Sequence, residues 1–140
     1  MYCESPNHWW QSIAIEATDP EFLENLAQWC ERLEPGDERK GFDRVLREVG
    51  EPAVEPDGDT IAHRVARLVD VAAYESAAIA MIPLGAVYSG GRMKDGSFVA
   101  QVIPDESAGA HSRQARSLAM ALLAALLRAM ARLAAEAKAA

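Results

Sequence analysis

Ser117-Leu-Ala-Met-Ala-Leu-Leu-Ala-Ala-Leu-Leu127, bounded by Arg116 and Arg128, is the stretch on which the fold of this chain turns. Eleven positions separate the two arginines, whereas a helix crossing the hydrocarbon layer needs about 20 apolar residues, so no membrane span is predicted. At about 100° per residue, Leu118, Leu122, Leu126, Met130 and Leu133 fill roughly one third of a helix circumference. Met120, Leu123 and Leu127 widen the apolar arc to well over half. One layer of neighbours is not expected to cover such an arc. The stretch therefore predicts a helix packed on its own core along one side. The other side, with Met120, Leu123, Leu127 and Met130, is expected to form an interface with a second copy or another protein. A homodimer is the arrangement this reading favours.

The rest of the chain sets the context for that helix. Its 140 residues form one domain, 1–140, long enough to bury a core without disulfides or metal. Half of the residues are hydrophobic and a quarter charged, a composition that favours a folded globule over disorder. Charge is unevenly held: residues 1–59 carry fifteen acids and five bases, and residues 60–140 six acids and nine bases. The acidic half would repel phosphate backbones, so nucleic-acid binding is not expected, and a basic protein partner fits better. Cys3 and Cys30 form neither a disulfide framework nor a metal knuckle. Together with an amino terminus lacking a basic-then-apolar leader, they give a cytoplasmic expectation. Eleven arginines against three lysines, with abundant alanine, suit a GC-rich bacterial genome.

Residues 6–17 read as a short helix, although Ile13-Ala-Ile15 fits a strand equally well. Thr18-Asp-Pro-Glu21 matches a capping box and predicts a helix start. Phe22, Leu26, Trp29, Cys30 and Leu33 then recur at helical spacing until Pro35-Gly36. Asp37 is placed to cap a second helix with Phe42, Val45, Leu46 and Val49 on one face. The proline-rich segment 51–59 is a connector between the acidic half and the remainder. A third helix opens at Asp59 or Thr60 and carries Ile61, Val65, Leu68, Val69 and Ala72, extending toward Ile79. Asp95-Gly96 predicts the tight turn of a β-hairpin spanning about residues 86–103, with Phe98, Ala100 and Val102 on one face. A lone two-stranded ribbon is marginal in water, so the hairpin must lie on a helix or pair with a further strand. A long helix over about residues 111–137 completes the chain. The expected fold is α+β and predominantly helical: three or four amino-terminal helices, one hairpin and a carboxy-terminal helical spine.

Chemistry is sparse. On a continuous third helix, His63, Arg67, Asp70 and Tyr74 share a sector of about 60°, the best constellation for a small enzyme. His63 and Asp70 are nevertheless about 10 Å apart along the axis, too far for the carboxylate to orient the imidazole. A zinc set from Cys3, His8, Cys30 and His63 or His111 lacks the paired local spacing that structural zinc requires. Asp57-Gly-Asp59 lacks the later ligands of a calcium loop. Gly90-Gly91-Arg92 reads as strand glycines, and Ser112, beside His111, as a helix cap. No metal or cofactor is assigned. The sequence favours a non-catalytic protein-interaction module associating through its carboxy-terminal helix. Two alternatives stay open. One is the small enzyme. The other is an acidic inhibitor or nucleic-acid mimic of the kind mobile elements carry, presenting Glu24, Glu31, Glu34, Asp37, Glu38 and Asp43 to a basic complex.

Overall fold

The computed structural model describes residues 19–49, 61–104 and 109–139. Five helices and three strands follow in the order α1 (Pro20–Arg32), α2 (Glu38–Val49), α3 (Ile61–Asp70), α4 (Tyr74–Met81), β1 (Val87–Arg92), β2 (Phe98–Ile103), β3 (Ala110–Ala115) and α5 (Leu118–Ala139). The fold is α+β and predominantly helical, with a long carboxy-terminal helix. The helix-or-strand expectation for 6–17 and the 51–59 connector lie outside the described residues.

α1 begins one residue later than the capping-box reading placed it. Asp19 is the cap, its carboxylate accepting the Glu21 amide at 3.0 Å, and Pro20 takes the first helical position, where a missing N–H costs nothing. Leu23, Leu26, Ala27 and Cys30 form its buried stripe, with Phe22, Trp29 and Leu33 packed at the margin. α2 buries Phe42 and Val45, as its periodicity predicts, together with Gly41.

The third helix does not run on toward Ile79. It stops at Asp70, the chain reverses through Val71–Ala73, and Tyr74 opens the separate helix α4. Two backbone bonds close the stop, Ala72 N–H to Val69 O at 2.9 Å and Ala73 N–H to Leu68 O at 2.8 Å. Ala72 sits at φ 60°. This is the Schellman pattern, with alanine in the left-handed position usually held by glycine.

The hairpin forms where expected, with Val87 opposite Ile103 and Arg92 opposite Phe98. Its turn is longer than a two-residue one: Gly96 N–H bonds Met93 O at 3.0 Å, Met93 N–H bonds Ser97 O at 2.8 Å, and only Gly96, at φ 88°, is left-handed. Residues 110–115, expected to open the last helix, are instead a third strand. β3 pairs antiparallel with β2, giving the sheet order β1-β2-β3. Ala110 and Ser112 point inward and His111 and Arg113 outward, an alternation of period two. Ser117, not Ser112, caps the helix that follows, its hydroxyl accepting the Met120 amide at 3.2 Å.

α5 is the axis of the core. One side of the sheet lies on it through Ala100, Val102 and Ala115, and α1 and α4 close around its remaining circumference. α2 reaches it where Gly41 faces the Met120 side chain; a Cβ at position 41 would stand 2.6 Å from that sulfur. The expectation that Met120, Leu123, Leu127 and Met130 face a second molecule is corrected here: all four are fully enclosed by this one chain. By length and composition alone α5 could cross a bilayer, but most of it is buried in the protein's own interior.

Candidate functional site

The constellation His63, Arg67, Asp70 and Tyr74 does not assemble. Tyr74 belongs to α4, and its ring stacks on Phe42 with centroids 6.3 Å apart. Asp70 is ion-paired with Arg39 at 3.2 Å, and the same guanidinium donates to Val69 O. Arg67 lines a cleft of about 460 Å³ with Arg64 and the apolar Leu68, Ile79, Ile82 and Leu84; His63, Asp70 and Tyr74 are not part of that lining. Strand geometry also separates His111 from Ser112, which point to opposite faces, the first exposed and the second buried. No three His, Cys, Asp or Glu side chains come together among the described residues. Of the candidate zinc set, Cys3 and His8 fall outside those residues, and Cys30 is buried in the core.

Four of the six acids proposed as a binding face meet cations of the same chain. Glu24 and Glu31 flank Arg128, Glu34 pairs with Arg116, and Asp37 approaches Lys40 at 3.6 Å. Glu38 accepts the Gly36 amide, while Asp43 is exposed. Three carboxylates of α1 and its end, Glu24, Glu31 and Glu34, are thus matched by Arg116 just before α5 and Arg128 within it.

The most enclosed of these contacts is a polar cluster on the seam between α1, β3 and α5. Glu31 Oε2 accepts the Ser112 hydroxyl at 2.7 Å, and Glu31 Oε1 accepts Arg128 Nη2 at 2.8 Å. Arg128 Nε is buried without a hydrogen-bond partner, with Glu24 Oε1 at 3.7 Å. Both Glu31 oxygens are occupied and the Ser112 hydroxyl is enclosed. The cluster ties three elements together and presents no nucleophile to a substrate.

The outer parts of the sheet are different. All six residues of β1 are exposed, and β2 is the only strand paired with it among the described residues. Its flanks carry large apolar side chains open to water: Leu84 is 75% exposed, Val87 64% and Met93 53%. Edge strands in soluble proteins are usually blunted by proline, by a bulge or by an inward charge. Val87-Tyr-Ser-Gly-Gly-Arg92 has only the terminal arginine. Gly90 is required for the strand's seat, because a Cβ there would lie 3.0 Å from Leu118 Cδ1 and 3.1 Å from Val99 O. Gly91, with nothing within 4 Å of its Cβ position, leaves an opening instead.

Beside that opening, on the sheet face away from α5, lies a cleft of about 550 Å³ between the hairpin turn and β3, lined in part by Met93, Lys94, Val99, Arg113 and Gln114. A bulge shapes it. Phe98 pairs with Ala115 and Ala100 with Ser112, so Arg113 and Gln114 together oppose Val99, and Gln114 is held at φ 63°. Asp95, at the rim, is turned inward on the loop: its Oδ1 accepts both the Ser97 amide at 2.9 Å and the Ser97 hydroxyl at 2.6 Å, which hold its carboxyl below the ordinary range.

Sequence reasoning located the hairpin and its glycines but not this surface. Which strand lies outermost depends on β3, and β3 lacks the branched and aromatic residues that mark strands. The chain matches no known family model, and no curated protein or solved structure is similar enough to it to count as a relative.

Proposed function

We propose that this chain is a non-catalytic protein-interaction module whose docking element is the free edge of β1. The observation that carries the reading is the exposure of every β1 residue on an edge strand that lacks the usual protection. An extended segment of another polypeptide can add to such an edge through main-chain hydrogen bonds, with alternate side chains reading the flanking pockets. Leu84, Val87 and Met93 supply apolar area beside it. The absence of a converging nucleophile, base and charge stabiliser among the described residues supports binding over catalysis.

Amide hydrogen exchange tests this directly. Adding a neutral extended peptide of alternating valine and threonine should slow exchange in Val87–Arg92 while leaving α1 and α4 unchanged. Unaltered β1 exchange at saturating peptide would reject the reading.

A further inference from the structure

Resting on that reading, we infer that the segment received by β1 is acidic, and that its carboxylate-bearing end is held at the hairpin end of the sheet by Lys94 and Arg113. The first support is the distribution of charge. Six of the fourteen lysines and arginines among the described residues, Arg39, Lys40, Arg44, Arg116, Arg128 and Arg132, have a carboxylate within ion-pair distance. Lys94 and Arg113 have no ion-pair partner among the described residues; Asp95, which lines the same cleft, stays ionised under its bonds from Ser97, so the lining carries two positive charges against one negative. Arg92, at the end of β1, is likewise without an ion-pair partner. Lys94 and Arg113 thus share one cleft beside the exposed edge, while Arg92 stands at the same end on the opposite face of the sheet, on a chain whose net charge is -7. Other unmatched bases, such as Arg47 and Lys138, sit singly on helix surfaces.

The second support is geometric. The cleft between Lys94 and Arg113 has an apolar floor in Met93 and Val99, and its volume of about 550 Å³ suits one or two side chains rather than a helix. Val99 is paired with Gly91, so no side chain of β1 stands between the free edge and the cleft at that register. A docked strand lies two spacings of about 4.8 Å from β2 and three from β3, so Lys94 in the hairpin turn is the nearer cation and Arg113 on β3 faces it across the cleft. The bulge contributes as well. By setting two residues of β3 against Val99, it spreads Arg113 and Gln114 around the cleft, at the cost of a left-handed Gln114. A second copy of this chain offers no such complement, since antiparallel pairing of β1 with itself would bring Arg92 opposite Val87.

Fluorescence anisotropy with three labelled peptides tests the inference. All share an alternating valine and threonine body and differ in ending with two glutamates, two serines or two lysines. The glutamate peptide should bind about fivefold more tightly than the serine peptide, with the lysine peptide weakest and the spread collapsing in high salt. In Lys94→Glu/Arg113→Glu, both positions being exposed, the order should invert. Equal affinity for the three peptides would overturn the acidic assignment while leaving β1 as a docking edge. Absence of binding by all three would overturn both. Concentration-dependent dimerisation through β1 that excludes every peptide would overturn the assignment in favour of a second copy.

Discussion

The Arg128 guanidinium lies against the Glu31 carboxylate, Nη2 to Oε1 at 2.8 Å, on the seam where α5, α1 and β3 meet. Their side chains are 24% and 12% exposed, so the pair is screened far less than a surface bridge, and the Ser112 hydroxyl depends on the same carboxylate. Removing one partner leaves a mostly buried charge and a stranded hydroxyl. Glu31→Leu should cost about 2 to 3 kcal/mol, below the range for fully buried pairs because Arg128 reaches some solvent. Glu31→Leu/Arg128→Met should cost less than the two single changes added together. Urea unfolding of the four proteins in the cycle measures the coupling, and strict additivity would count against it.

Because Leu123 and Leu127 are fully enclosed, substitutions there should unfold the protein rather than dissociate a complex. Leu123→Ala and Leu127→Ala should each cost about 2 to 5 kcal/mol through lost burial and an unfilled cavity. Leu123→Glu/Leu127→Glu should abolish the cooperative thermal transition altogether, since a domain holds only about 5 to 15 kcal/mol in reserve. A folded double-glutamate variant with changed native mass would mean instead that these leucines face another molecule.

The outcome at α5 shows where periodicity stops being informative. Its leucines and methionines were legible, and their arc was correctly wide. What covers that arc was not, because the deciding residues are seven buried alanines, from Ala119 to Ala134, and Gly41 across from Met120. Small side chains let α1, α2, α4 and the sheet approach closely enough for one chain to wrap the helix. Local sequence carries no mark of that convergence. α1, α2 and the hairpin were readable because caps, prolines and an Asp-Gly turn act over a few residues. β3 was not readable: alanine and serine inward with histidine and arginine outward make no hydrophobic alternation, and pairing with β2 decides the conformation. The same blindness hid the candidate docking edge, since recognising β1 as outermost requires knowing where β3 goes.

The break between α3 and α4 was equally silent, there being no glycine or proline at the reversal, and it yields a simple stability test. Ala72 adopts φ 60° at the residue where a Schellman stop favours glycine, and a Cβ there carries a penalty of about 1 kcal/mol. Ala72→Gly should stabilise the protein by up to about 1 kcal/mol, partly offset by the greater freedom of glycine in the unfolded chain. A raised thermal midpoint checks it, and a lowered one would show that the left-handed conformation is not held in solution.

Cys30 provides the pH test. Its thiol is pushed up from 9.0 to about 12, chiefly by desolvation in the α1 core; Arg44 opposes the shift and Glu31 adds to it. A group whose folded pKa exceeds its unfolded value binds more protons in the native state once the unfolded thiol ionises, so stability is full below about 9 and falls as pH rises toward about 12. Cys30→Ala removes that contribution at the expense of some packing. Its stability at neutral pH should therefore be lower than wild type, but its decline between pH 8 and 10 in urea unfolding should be shallower. Parallel declines for the two proteins would mean that the thiol titrates alike in both states. Alkylation of Cys30 at pH 8 should correspondingly proceed no faster than the protein opens, because the reactive thiolate is scarcely populated in the folded chain.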